Sequence, residues 1–264
     1  MPVIGDVLDE PNETFYLALG PVIDATPVAP TIPALIRDDD GATIALQALG
    51  HGTDRRDTLE GGADLFVVHQ PGRTSWEIVV DGASGDVGIG SGPLLERVAS
   101  DLTTVVQSSS AAGAGSARVL RWANANGLPQ DGYVRVSSAG CSTDCGPDDV
   151  YRLRAYETTG RIARFNTSGT QVTVLVLQNV TNAPISATAH FWSPSGALLD
   201  SRALPLPARS VVTLNVSSVA GAAAQAGSLT VVHDGGYGAV AGKSVALDPA
   251  AGFSFDTPLT YRPR

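Results

Sequence analysis

Ser75-Trp76-Glu77-Ile78-Val79-Val80-Asp81 decides the fold class. Trp76, Ile78 and Val80 fall on one side of an extended chain and Glu77, Val79 and Asp81 on the other, a period of two that marks a strand with one face in a core. Upstream, Asp64-Leu65-Phe66-Val67-Val68-His69 reads as a second strand, closed by a Pro71-Gly72 turn. Downstream, short runs follow at Leu94–Ala99, Thr103–Gln107, Ser116–Trp122, Gly132–Ser137 and Val150–Tyr156. In the last, Tyr151, Leu153 and Ala155 share one face and Arg152 and Arg154 the other. Short strands spaced roughly ten residues apart and separated by turn residues predict an antiparallel sandwich.

Glu157 to Gly160 reads as a joint, after which the pattern resumes. Runs at 161–166, 171–178, 185–192, 198–204, 210–216, 228–233 and 237–247 are strand-like, with turn sequences at Pro194-Ser195-Gly196 and Asp234-Gly235-Gly236. Seven strands in about 90 residues fit an immunoglobulin- or fibronectin-like sandwich. Alanine-rich Val219–Gln225 is the one helical candidate, and Phe253–Arg264, with Pro258 and Pro263, is expected to be extended. At the other end, Thr14–Leu19 alternates and Ala34–Arg37 is a short returning strand, while Gly41–Asp57 reads as a joint. Two strands cannot bury a core alone. The fold class expected is all-β, in units of residues 1–41, 42–157 and 158–264.

The chain has 264 residues, 29 glycines, 17 prolines and a formal net charge of −9. That acidic balance argues against a nucleic-acid partner, since neutralising phosphate needs a basic face. It also disfavours an anionic membrane surface. No apolar run approaches the roughly 18 residues that span a bilayer, and the N-terminus carries no signal-like segment. A domain pattern already in progress at residue 3 reads as part of a longer protein, so a missing signal says little about compartment.

Gly62-Ala63-Asp64-Leu65-Phe66, Asp131-Gly132-Tyr133-Val134-Arg135-Val136 and Asp149-Val150-Tyr151-Arg152-Leu153-Arg154 resemble motifs of the bacterial pre-peptidase C-terminal jelly-roll, over residues 52–157. The resemblance implies a non-catalytic accessory module of a secreted protein. Val3 to Leu19, which includes Asp6, Glu10 and Phe15, and Leu35-Ile36-Arg37-Asp38-Asp39-Asp40 resemble the closing half of a Calx-β domain. That family is an extracellular or regulatory sandwich, and its calcium-binding members take ligands at the positions of Asp6, Glu10 and the triplet Asp38, Asp39 and Asp40. Three adjacent carboxylates need solvent or a cation to take up their charge, and hard oxygen ligands suit Ca²⁺. A solvated acidic linker is the alternative from charge spacing alone.

Cys141 and Cys145 are only two soft ligands, with no His or third Cys nearby to complete a zinc site, and read as a disulfide staple across a short loop. That use would place the chain in an oxidising compartment. Gly242-Lys243-Ser244 imitates a phosphate loop, but Tyr237 stands where the motif needs glycine, and strand rather than helix follows. Gly88-x-Gly90-x-Gly92 lacks dinucleotide-loop spacing. His51, His69, His190 and His233 form no metal motif, and His190 alternates outward, as a surface histidine would. A serine–histidine–carboxylate site could still assemble from distant residues. Trp76, Trp122 and Trp192 are the candidates for stacking on a sugar ring; Trp76 follows the core set, whereas Trp192 sits at a strand end among polar residues, as a contact residue would.

The function expected is a non-catalytic extracellular module of a bacterial surface or secreted protein, structural, adhesive or filament-forming, stabilised by calcium. Its partners would be other copies or other domains of the parent protein, joined by strand addition to an open edge. The alternative is a carbohydrate-binding accessory module with a polysaccharide partner.

Overall fold

The computed structural model describes residues 46–59, 62–81, 93–109, 117–138 and 150–264, together with the backbone of 13–18 and 31–36. The chain divides into two units, Met1–Leu46 and Gln47–Arg264. In the first, β1 (Glu13–Ala18) and β2 (Thr31–Ile36) pair antiparallel, with Glu13 opposite Ile36 and Ala18 opposite Thr31. Asp6, Glu10, Asp38, Asp39, Asp40, Cys141 and Cys145 lie outside the described residues.

The second unit holds two sandwiches in tandem, and the fold is all-β. The first contains β3 (Gln47–Ala48), β4 (Thr53–Thr58), β5 (Ala63–Gln70), β6 (Thr74–Val80), β7 (Pro93–Val98), β8 (Val105–Ser108), β9 (Arg118–Asn124), β10 (Gln130–Ser138) and β11 (Val150–Glu157). Its antiparallel pairs are nested: β4 with β11, β5 with β10, β6 with β9 and β7 with β8. Further pairing of β11 with β6 and β10 with β7 completes two sheets, β4-β11-β6-β9 and β5-β10-β7-β8. A long hairpin folded over itself in this way is the eight-stranded jelly-roll arrangement. Two-residue β3 adds to β5 in parallel. Phe66, Ile78, Leu120, Val134, Tyr151 and Leu153, all fully buried, fill the space between the sheets.

Strand β4 departs from the sequence expectation, which placed residues 41–57 in a joint. Thr53-Asp54-Arg55-Arg56-Asp57-Thr58 has no apolar residue to mark it. It is held by its ladder to β11, by Arg152 donating to both carboxylate oxygens of Asp54 at 2.7 and 2.6 Å, and by Arg55, whose guanidinium lies 5.4 Å from the Phe66 ring centre. An edge strand can be specified by cross-strand pairing with no hydrophobic alternation.

The second sandwich contains β12 (Gly160–Asn166), β13 (Val172–Asn179), β14 (Ile185–Trp192), β15 (Leu198–Leu206), β16 (Val211–Asn215), β17 (Ala226–His233), β18 (Val240–Asp248) and β19 (Phe253–Pro258). Its sheets run β12-β17-β14-β15 and β16-β13-β18-β19. In the first, β17 pairs with β12 and β14, and β14 also with β15; in the second, β13 pairs with β16 and β18. The alanine-rich segment forms one 3₁₀ turn, Ala220–Ala222, directly after another at Val216–Ser218. Strand β19 claims part of the tail expected to be merely extended, and Gly242-Lys243-Ser244 sits inside β18. Phe165 and Phe191 pack edge to face at 5.6 Å in the middle of this core.

Phe191→Ala removes the centre of that core and should lower unfolding free energy by about 3–5 kcal/mol. Leu128→Ala, at a residue 76% exposed, should change it by less than about 0.5 kcal/mol, both read by chemical denaturation.

Candidate functional site

The face of β6 that should meet solvent instead meets the second sandwich. Ser75 is fully buried, and Glu77, expected to point outward, is 6% exposed. The covering surface is the outer face of the β14–β17 pair, where Val232 and His190 are each 4% exposed. His190 is therefore no surface histidine. Alternation assigned it correctly to the outside of its own sheet, and docking then covered that side.

Polar groups dominate the contact, and around Ser75 they are paired. Thr158 and Thr159, which join β11 to β12, are both buried and run as a short ladder beside Ser75. Thr158 N donates to Ser75 O at 2.8 Å, Ser75 N to Thr159 Oγ1 at 3.0 Å, and Thr158 Oγ1 to Ser75 Oγ at 2.9 Å. His233 N completes the set by donating to Ser75 Oγ at 3.4 Å. The joint read at Glu157–Gly160 is thus a hydrogen-bonded segment in which burial is offset by partners.

One strand position away, Glu77 Oε1 accepts from Arg121 Nε and Nη2 at 3.0 and 2.9 Å, across the β6–β9 register. Its Oε2 accepts from Tyr237 N at 2.8 Å. A carboxylate withdrawn from water keeps its charge only with partners of this kind. The β17–β18 turn can approach so closely because it is glycine: a Cβ on Gly236 would lie 2.9 Å from Glu77 Oε1 and 3.1 Å from Arg121 Nη2.

Residues 259–264 cross the joint as a strap. Leu259 packs against the second core, and Thr260 pairs with Arg161 in an isolated bridge. Tyr261 donates its hydroxyl proton to Val240 O at 2.6 Å, and burial raises its pKa. Tyr237 OH donates to Arg262 O at 2.7 Å, and Pro263 O lies 2.7 Å from His51 Nε2 in the first sandwich. The guanidinium of Arg264 rests 4.3 Å from the ring centre of Tyr156 and 4.2 Å from that of Tyr237, one ring from each sandwich. Glu157 joins the same region through Arg161 at 2.5 Å and Arg262 at 3.9 Å.

Beside this network opens a cleft of about 590 Å³, walled by Arg121, Asp234, Tyr237 and Arg264 and by apolar Val180, Pro184 and Ile185. Convergent polar groups with an apolar wall, at a junction of two bodies, are the usual setting of a ligand site. Asp234 is anchored by Ser186 N, which donates to Oδ1 at 2.8 Å. Tyr237 has little free face to offer, because Arg264, Tyr156 and Tyr261 crowd its ring.

Trp192 lies elsewhere on the joint. It is half-buried, its Nε1 donates to Thr230 Oγ1 at 2.9 Å, and the guanidinium of Arg73, from the β5–β6 turn, stands 5.8 Å from its ring centre. Trp76 is core, as expected. A serine–histidine contact does occur, His190 Nδ1 to Ser201 Oγ at 2.7 Å. Burial, assisted by Arg73, pushes the imidazole down to about 4, and its Nε2 has no hydrogen-bond partner among the described residues. A weak base that no carboxylate orients does not activate a hydroxyl. Among the described residues no three His, Cys, Asp or Glu side chains group as a metal site, and no described helix is long and apolar enough to cross a membrane.

No protein-family model and no curated protein sequence matches the chain. Among solved structures it is similar to the pre-peptidase C-terminal domain of a collagenase from Bacillus anthracis, with 18% identity over 42% of this chain and 93% of that one, at a TM-score of 0.31. It is also similar to a β-glucuronidase from Bacteroides uniformis, with 14% identity over 76% of this chain and 26% of that one, at 0.20. A third is the M60 catalytic domain with its two CBM51 domains from Clostridium perfringens, with 8% identity over 95% of this chain and 41% of that one, at 0.25.

Tyr156, Tyr237, Arg121, Glu77 and Arg264 were not singled out by sequence. The one local signal near them is Asp234-Gly235-Gly236, read as an ordinary turn. Glu77→Ala leaves the Tyr237 amide and Arg121 unpaired and should lower unfolding free energy by about 1–3 kcal/mol. Gly236→Ala should cost a similar amount by pushing the turn off Glu77, about 1–3 kcal/mol in thermal melts.

Proposed function

We propose that this chain is a non-catalytic structural module of a secreted or surface protein, in which two sandwiches are docked as one rigid body. The observation that carries the reading is the joint itself: Ser75, Glu77, Thr158, Thr159 and His233 are buried there and hydrogen-bonded across it. Tandem sandwiches on a mobile linker would keep such groups in water. A spacer or adhesive element that holds a fixed geometry between neighbours needs this kind of contact. Its partners in this reading are other copies or other domains of a parent protein, with Ca²⁺ at Asp6, Glu10 and Asp38–Asp40 as a separate stabiliser.

Scanning calorimetry on the full chain should show both sandwiches unfolding in one transition. Glu77→Ala combined with Arg264→Ala should split it in two. Two well-separated transitions in the wild type would contradict the reading.

The cleft favours a second reading, a carbohydrate-binding accessory module. Arg121 and Asp234 can hydrogen-bond sugar hydroxyls there, against the wall of Pro184 and Ile185. On a glycan array, this reading expects binding that Asp234→Ala abolishes and Trp192→Ala leaves intact. Binding of no glycan by the wild type would count against it.

A further inference from the structure

We infer that the joint between the sandwiches is released by acid, with His190 as the sensor and Arg73 as the group it repels. The backbone already marks Arg73 as placed for a purpose. It adopts φ +55, a left-handed conformation that costs a residue with a side chain. Its amide donates to Asn126 O at 2.9 Å, and its guanidinium lies where a Cβ on Gly127 would approach to 2.5 Å. From that turn the guanidinium reaches across to Trp192, whose ring centre is 6.4 Å from that of His190.

Among the described residues His190 has a hydroxyl, Ser201 Oγ, within hydrogen-bond reach at 2.7 Å, and burial and Arg73 both work against a proton on its ring. The cation nearest it from the first sandwich is Arg73, over the Trp192 ring that His190 neighbours. Its β15 neighbour is Ser201 and its β17 neighbour Thr230, and neither carries charge. Protonation would set a second positive charge on buried His190, against the same Trp192 ring that Arg73 lies over, which undocking would relieve. His233, 2% exposed at the same joint, is a second group of the same sign. Facing it are Glu77, Asp234 and the Tyr261 hydroxyl, 3.3 Å from Nε2, so its proton would be partly offset. For both imidazoles burial holds the docked pKa near 4, against an ordinary value near 6.5. The neutral ring therefore favours docking fully above pH 6.5, and that contribution is lost as pH falls from 6.5 towards 4.

The test is small-angle scattering of the full chain between pH 7.5 and 4, with far-ultraviolet circular dichroism alongside. The wild type should be compact at pH 7.5 and extend reversibly between pH 6 and 4 while keeping its β-sheet signal. His190→Gln should stay compact to at least about one pH unit lower, and His233→Gln should shift the midpoint less. If glutamine at 190 prevents folding, a side-chain NMR titration of wild-type His190 decides: its midpoint must coincide with the extension. A wild type that stays compact to pH 4, opening of His190→Gln at the wild-type pH, or loss of β-structure in the same step would overturn the inference. It rests on the docked joint; an extended wild type at pH 7.5 would show instead that the joint itself is wrong.

Discussion

Glu77 is a carboxylate on a strand whose other face is already committed to a core, and it has been taken out of water on its own side as well. Everything else at the joint follows from satisfying it and its neighbour Ser75. Arg121 must stand opposite in the β6–β9 ladder, and the β17–β18 turn must bring the Tyr237 amide within hydrogen-bond reach. That turn can come so close because Gly236 carries no side chain. Thr158 and Thr159, between the sandwiches, satisfy Ser75 rather than acting as a hinge. A buried polar contact contributes little net stability but penalises strongly any arrangement that leaves a member unpaired. Such a joint specifies one geometry more than it adds strength.

The strap of residues 259–264 acts on the same geometry from outside. Its hydrogen bonds and the placement of Arg264 between Tyr156 and Tyr237 tie groups from both sandwiches to one short segment. Arg73 does the same from the opposite direction, reaching out of the first sandwich onto Trp192. The two contacts flank the buried polar centre, so the docked face is held at its rim by cation–aromatic contacts and at its middle by hydrogen bonds. Cation–π contacts gain strength as they lose water, which suits them to a partly covered rim.

Much of the fold was legible because each sandwich writes its own core into the alternation of its strands. Ser75–Asp81, Val150–Tyr156 and Ile185–Trp192 all read correctly as strands with the right inward residues. The polar strand β4 escaped because Asp54, Arg55 and Asp57 act through charge pairing, which leaves no period in hydrophobicity. The joint escaped for a different reason. Alternation says which side of a strand faces its own core and is silent on what covers the other side, so Glu77 and His190 read as surface residues. Their burial depends on a contact between residues 158 positions apart, Ser75 and His233, which no local pattern encodes. Trp192 was noticed for its exposed setting, and it is Arg73, more than a hundred residues earlier, that covers it.

The central claim is that the two sandwiches form a single rigid body about the buried face of β6. Residual dipolar couplings measured on the full chain in a weakly aligning medium test it most directly, since each sandwich reports its own alignment. The account predicts one alignment tensor, equal in magnitude and orientation, for couplings from β4–β11 and from β12–β19 at neutral pH. Tensors that differ in magnitude or are rotated from one another relative to the docked arrangement would mean that the sandwiches move independently, and would contradict it.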